Sequence, residues 1–166
     1  MGKVGGAERL AAFDAACERF LAAVERLTEA QLAEKLETAT AREWMAQLIG
    51  WNRRVQEGCL SLQTGGTPDY YSDADHGYVR VNADSVRQFG PLDRKRMLDE
   101  VSTSSRELTQ YLSKLETSDW NADRGVRHPK GGPATLRREF EALTRRYLDA
   151  ADEILLWLDS HEARPR

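Results

Sequence analysis

The stretch from Thr40 to Trp51 marks the start of a helix that must bury one face. Thr40 and Glu43 have the spacing of a capping box, in which each side chain accepts a hydrogen bond from a backbone N–H group at the helix start. Apolar residues then recur at the period of one α-helical face. The residues on this face are Trp44, Leu48, Trp51 and Val55. Such a helix is not stable alone, so other elements must cover its apolar face.

Three more segments show the same helical period. They cover residues from about 7 to 27, from Pro91 to about 116, and from about 135 to 160. The helix that starts at Thr40 extends to about residue 62, because two glycines and a proline follow at 64–68. The sequence therefore predicts an all-α fold, a four-helix up-down bundle with a long connection between helices two and three.

That connection, residues 69–89, is the most unusual segment of the predicted bundle. It carries three tyrosines, with His76 and a glycine between them, and a short helix at about 81–88 interrupts it. A connection of this length within one domain is uncommon and is often functional. We expect it to cross one end of the bundle and to cover a cavity there.

The size and charge of the chain limit its class. With 166 residues and 18.8 kDa, we expect one domain spanning 1–166. A net charge of -3 gives no reason to expect a nucleic-acid partner, which normally needs a basic face. No apolar run reaches the ~20 residues needed to span a bilayer. The segment Met1 to Gly6 lacks the apolar core of a signal peptide, so we expect a cytoplasmic protein without membrane contact.

The two cysteines, Cys17 and Cys59, lie on the apolar faces of two different predicted helices. Neither has a histidine or a second cysteine at the short spacing typical of a metal site or a nucleophile. We therefore expect both to be buried thiols that pack as small hydrophobic side chains.

The segment Gln47-Leu48-Ile49-Gly50-Trp51 resembles the second helix of the DinB/YfiT-like four-helix bundles and is nearest to their ClbS/DfsB branch. Asn82, Val86 and Phe89 are also similar to that branch. The resemblance covers nearly the whole chain and implies the same bundle with its long connection. In the best-known member of the branch, the function is to protect a producing bacterium from its own genotoxin.

Metal-binding members of the superfamily use one histidine on helix two and a His-x-x-x-His pair on helix four. Residues four apart lie above one another on a helix, so both imidazoles can reach one ion. The matching positions in this chain are Gln47, Arg146 and Ala150. The fixed charge of Arg146 would repel a divalent cation. We therefore expect no metal and no other cofactor.

The three histidines of the chain do not rebuild that metal site. His128 stands beside a proline in a predicted loop and His161 follows the end of helix four, so both are interpreted as solvated loop histidines. His76 lies closer to the expected mouth of the cavity. It is therefore kept as a candidate for ligand contact.

The resemblance and the helical faces together define a candidate ligand site. It comprises Gln47, Trp51, Tyr78, Arg146, Tyr147, His76 and Asn82. Gln47 and Arg146 lie at the edges of their apolar faces, where an amide and a guanidinium can bind a carbonyl, carboxylate or phosphate-like group. Alternatively, the two side chains bond each other or the backbone in the vacated metal site. No residue pair has the spacing of a general acid and base, so the catalytic residues stay unknown.

Three functions remain open. The first is a metal-free bundle that binds an electrophilic small molecule, in self-protection or natural-product metabolism, and sequesters it or helps water open it as a metal-independent hydrolase. The second is a thiol-dependent S-transferase, which the missing histidines disfavour. The third is a non-catalytic bundle that forms oligomers such as a homodimer. Exposed apolar side chains at Ile49, Leu148 and Leu155 would favour the third hypothesis.

Overall fold

Six α-helices and two 3-10 helices form the secondary structure in the computed structural model, which describes residues 5–162. The α-helices are α1 (Gly6–Glu25), α2 (Ala41–Gln63), α3 (Val79–Phe89), α4 (Arg94–Ser113), α5 (Thr117–Trp120) and α6 (Leu136–Glu162). The 3-10 helices are Gln31–Ala33 and Asp69–His76. Residues 1–4 and 163–166 lie outside the described residues. The first of these ranges is part of the Met1 to Gly6 segment, which was expected not to be a signal peptide. The single-domain expectation stays a prediction.

The all-α class is confirmed, since residues 5–162 contain helices and no strand beyond isolated bridges. The long helices pack side by side, α1 against α6 and α4, and α2 against α4 and α6. The predicted count of four helices is not confirmed, because α3 also packs along α2. The connection at 69–89 is mostly helical rather than irregular. It consists of the 3-10 helix Asp69–His76 followed by α3. Within residues 5–162, no helix is long and apolar enough to cross a membrane.

The start of α2 has the predicted capping box. The Thr40 hydroxyl accepts a hydrogen bond from the Glu43 backbone N–H at 3.0 Å, and the Glu43 carboxylate accepts one from the Thr40 N–H at 3.4 Å. Such a cap satisfies N–H groups that the helix itself leaves without acceptors. The helix start inferred from these two residues is therefore correct to within one position.

The core lies between the long helices and includes Ile49 and both cysteines. Ile49 is fully buried, which removes one of the exposed apolar side chains that would favour an oligomer. Both cysteines are buried free thiols, as expected. Burial raises the pKa of the Cys17 thiol to about 12, so it is not a ready nucleophile.

Two close approaches fix the elements that surround the site. A Cβ on Gly50 of α2 would lie 1.9 Å from the Ser85 hydroxyl oxygen, so only glycine allows α3 to pack this near. A Cβ on Gly58 would lie 2.9 Å from the ring of Tyr70. The glycines of α2 thus set the positions of α3 and of the Asp69–His76 helix.

Candidate functional site

A half-open cavity of about 410 Å³ lies between α2, the Asp69–His76 helix, the loop before α6, and α6 itself. Its volume is within the usual range for small-molecule sites. The lining residues are Trp51, Val55, Tyr70, Tyr78, His128, Lys130, Arg138, Glu139, Ala142, Leu143, Arg145, Arg146 and Asp149. Aromatic side chains on one side of the cavity thus lie opposite charged side chains of α6.

Glu139 is the buried acid of this cavity, with 5% of its surface exposed. The Tyr70 hydroxyl donates a hydrogen bond to its Oε2 at 2.9 Å, and the Tyr71 hydroxyl donates a short one to its Oε1. The Nε2 atom of His128 lies 3.6 Å from the same Oε1. The carboxyl group is therefore held by two phenols, with an imidazole beside it.

The protonation of this group follows from burial. Burial raises the pKa of Glu139 above its ordinary value, and the hydrogen bonds from Tyr71 and Tyr70 only partly oppose that rise. Burial lowers the pKa of His128, and the charges of Arg138 and Lys130 lower it further. We therefore describe the His128–Glu139 contact as that of a neutral imidazole with a carboxyl group, rather than as a salt bridge.

The start of α6 places Glu139 in the cavity wall. The Thr135 hydroxyl accepts a hydrogen bond from the Arg138 backbone N–H at 3.1 Å and so caps the helix. Glu139 follows in the first turn, where the helix dipole favours a negative charge. The preceding loop turns back through the His128 N–H to Gly132 carbonyl bond of 2.9 Å, which brings the imidazole over Glu139.

Arg146 forms the opposite part of the charged wall. Its Cζ atom lies 4.0 Å from the ring centroid of Trp51 and 5.5 Å from that of Tyr78. Trp51 is fixed in turn, because its Nε1 donates a 2.8 Å hydrogen bond to the side-chain oxygen of Asn82. Tyr78 adopts a left-handed backbone conformation with φ of 61°, which is uncommon for a residue with a side chain.

The structure brings three of the sequence-predicted ligand residues, Trp51, Tyr78 and Arg146, into one cavity. Asn82 contacts this group only through its hydrogen bond to Trp51. Gln47 lies with Asn82 in a separate shallow depression, so it does not bond Arg146 across a vacated metal site.

His76 and Tyr147 lie outside the cavity. His76 is exposed at the end of its 3-10 helix and does not line the cavity. Tyr147 is fully buried in the core, and its hydroxyl exchanges hydrogen bonds with the Asn52 amide. Tyr147 was predicted to belong to the ligand site, but it follows Arg146 directly, and consecutive helical residues point in different directions.

Glu139 and Tyr70 were not predicted from the sequence as site residues, and His128 was misinterpreted. The interpretation of His128 as a solvated loop residue was wrong, since only 10% of its side chain is exposed. Glu139 did leave a signal. It precedes Phe140 and stands four positions before Leu143, so an acid occupies the buried face of the helix. Such an acid needs buried partners, and tyrosines from the long connection supply them.

The three positions that the sequence resemblance matched to metal ligands do not fit a metal ion. They offer the amide of Gln47, the cationic Arg146 and the methyl group of the buried Ala150. Elsewhere in residues 5–162, no cluster of three or more histidine, cysteine or acidic side chains is placed to hold one.

The fold is similar to that of solved bacterial proteins. DfsB, a sibling lethal factor precursor, matches with a TM-score of 0.79 at 14% identity over 99% of this chain and 100% of its own. The colibactin self-resistance protein ClbS, solved in complex with a dsDNA, matches with a TM-score of 0.75 at 12% identity over 96% and 98%. A Streptococcus pneumoniae protein matches with a TM-score of 0.75 at 11% identity over 96% and 93%.

These likenesses define a ClbS/DfsB-like helical fold. The resemblance drawn from the Gln47–Trp51 segment is therefore confirmed at the level of the fold. No family model and no curated protein matches the sequence.

The expectation of no nucleic-acid partner is corrected by this comparison. It rested on the net charge of -3. ClbS, a protein with this fold, has been solved in complex with a dsDNA, so that expectation does not hold. Net charge averages over the whole surface and does not report a local cluster of cations.

Proposed function

We propose that this protein binds an electrophilic small molecule in the cavity and adds water to it. The observation that carries the proposal is the buried carboxyl group of Glu139, which two tyrosine hydroxyls hold at the cavity wall. A carboxyl group with a raised pKa is a stronger base than an ordinary one, which suits it to accept a proton. Removal of a reactive metabolite in this way would protect the cell that meets it.

The proposed reaction begins when the Glu139 carboxylate takes a proton from a water molecule. The water oxygen forms a bond to the electrophilic carbon, and the bond from that carbon to its leaving atom breaks with its electron pair. The leaving atom takes a proton from the hydroxyl of Tyr70, which lines the cavity. Glu139 then returns its proton to Tyr70 along the hydrogen bond that already joins them, which restores the site.

The walls of the cavity favour a flat, partly apolar ligand. The ring of Trp51 packs edge to face against Tyr70 and Tyr78, with centroids 5.3 Å and 5.1 Å away. Trp51 and Tyr70 are nearly buried, so the partly exposed ring of Tyr78 offers the contact surface for a ligand. An aryl-substituted electrophile is therefore the natural probe.

The test is incubation of the purified protein with styrene oxide, an aryl aziridine and an aryl lactone in H₂¹⁸O. The proposal expects one ¹⁸O atom in at least one product, at a rate well above that of buffer. Tyr70→Phe should slow the reaction, whereas Tyr111→Phe should not, since Tyr111 is a partly buried tyrosine that does not line the cavity.

Two outcomes would contradict this proposal. One is an unchanged rate in Tyr70→Phe, which would remove the proton donor from the mechanism. The other is transfer of an added thiol to the electrophile in place of water, which would favour the S-transferase alternative. A protein that binds the probes without any turnover would support sequestration instead.

A second candidate function is the binding of dsDNA, which ClbS does in its solved complex. It is favoured by Lys130, Arg138, Arg145 and Arg146, whose side chains all line the cavity. The test is fluorescence anisotropy of a labelled duplex over a salt series. Binding should weaken steeply with salt, and each phosphate contact removed with Lys130→Met should change the logarithmic slope by about one unit. A duplex that stays free at about 50 mM salt would exclude this function.

A further inference from the structure

We infer that the ligand of this cavity carries an oxyanion, a carboxylate or a phosphate, and that Arg146 binds it from its stacked position on Trp51. The inference rests on the proposed function for the use of the cavity. It goes further because it names the charge of the ligand and the residue that selects for it.

The first support is the incomplete bonding of Arg146. Within residues 5–162, its guanidinium has neither a hydrogen-bond acceptor nor a salt-bridge partner. Its contacts there are the rings of Trp51 and Tyr78. Burial lowers the pKa of Arg146, as expected for a cation that has lost part of its hydration. A guanidinium has five N–H donors, and leaving them unsatisfied in a half-buried position is costly.

Other partly buried arginines of the chain are satisfied by the protein itself. Arg42 donates to the Leu92 carbonyl at 2.6 Å, and Arg94 donates to the Leu27 carbonyl at 2.6 Å. Arg53 is an exposed residue, but it is a useful comparison because its Cζ also stacks on a ring, 5.0 Å from the centroid of Phe89. It nevertheless pairs with Glu100 at 2.6 Å. The donors of Arg146 are therefore available for a ligand.

The second support is the local charge. Four cationic side chains and two acidic ones line the cavity, although the chain as a whole has a net charge of -3. Arg145 and Asp149 pair with each other at 3.2 Å. The other charged groups in the lining are one carboxyl group, that of Glu139, and three cations, those of Arg146, Arg138 and Lys130. A half-enclosed cavity concentrates this positive potential and attracts anions.

The third support is the spacing along α6. Glu139 and Arg146 are seven residues apart, so they lie on the same face about two turns from each other. An anion held at Arg146 would place the rest of a small aromatic ligand beside the partly exposed ring of Tyr78 and direct it towards Glu139. Arg146 thus binds the ligand, and Glu139 takes part in the reaction.

The experiment is isothermal titration of the wild-type protein with benzoate, phenyl phosphate and the neutral benzyl alcohol. The two anions separate a carboxylate ligand from a phosphate ligand. Arg146→Met should weaken binding of the preferred anion by about tenfold or more, because a charge-assisted hydrogen bond is lost. Arg146→Lys, which keeps the charge without the planar fork, should give an intermediate loss. Arg53→Met is the matched control and should bind as the wild type does.

The inference is overturned if neither anion binds, if benzyl alcohol binds as tightly as both anions, or if Arg146→Met changes anion affinity less than Arg53→Met does. A thermal melt confirms that each variant is folded at the titration temperature. Failure here is separable from failure of the proposed function. Water addition to neutral styrene oxide does not need the anion site, and anion binding does not need turnover.

Discussion

The guanidinium of Arg146 lies over the indole of Trp51, with Cζ 4.0 Å from the ring centroid. One residue belongs to α6 and the other to α2, so the contact joins two long helices at the cavity wall. A cation on an indole face is stabilised more strongly when it is shielded from water. The contact therefore fixes a charged group and an aromatic surface in one orientation before any ligand arrives.

Trp51→Leu should reduce stability as well as ligand binding. Trp51 is 3% exposed, and its Nε1 donates a hydrogen bond to Asn82, so it contributes to the packing of the core as well as to the cavity wall. We expect a loss of roughly 2 kcal/mol or more in the free energy of unfolding, since large-to-small core changes leave a cavity. Urea denaturation measures it. A loss below that of Leu60→Ala, at an exposed position, would contradict the packing described here.

The stability of the protein should fall as pH rises through the pKa of Glu139. Burial raises that pKa above 4.5, so the folded state still holds the proton at pH values where the unfolded chain has released it. The free energy of unfolding therefore decreases from about pH 4.5 through the raised pKa. Urea denaturation at several pH values should show this decrease in the wild type and not in Glu139→Gln. Equal pH slopes for the two proteins would refute the assignment.

Gly58→Ala should impair the site, although Gly58 itself does not line the cavity. A Cβ at this position would lie 2.9 Å from the Tyr70 ring, so the ring must move and its hydrogen bond to Glu139 must lengthen. We expect slower water addition, with little loss of helix content by circular dichroism. Gly5→Ala is the control, since a Cβ there meets nothing within 4 Å. Equal rates in both variants would argue against a role for Tyr70.

The sequence predicted the helices better than the site, for physical reasons. Helical period and the capping box at Thr40 depend on residues near one another in the chain, so both could be recognised directly. Trp51 and Arg146 were found because the resemblance pointed to their positions. Glu139 depends on tyrosines about seventy residues away, and no local pattern reveals such a partnership. His128 was misread because a loop beside a proline favours exposure, whereas this loop folds back onto α6.

The central claim is that Glu139 is the base for water addition, and its most direct test is the rate of ¹⁸O incorporation from H₂¹⁸O in Glu139→Gln. The matched control is Glu141→Gln, an exposed acid on the same helix that pairs with Arg9. Loss of a general base typically costs about 10²–10⁴-fold, so Glu139→Gln should lose at least a hundredfold while Glu141→Gln keeps the wild-type rate. Incorporation at the wild-type rate in folded Glu139→Gln would contradict the account.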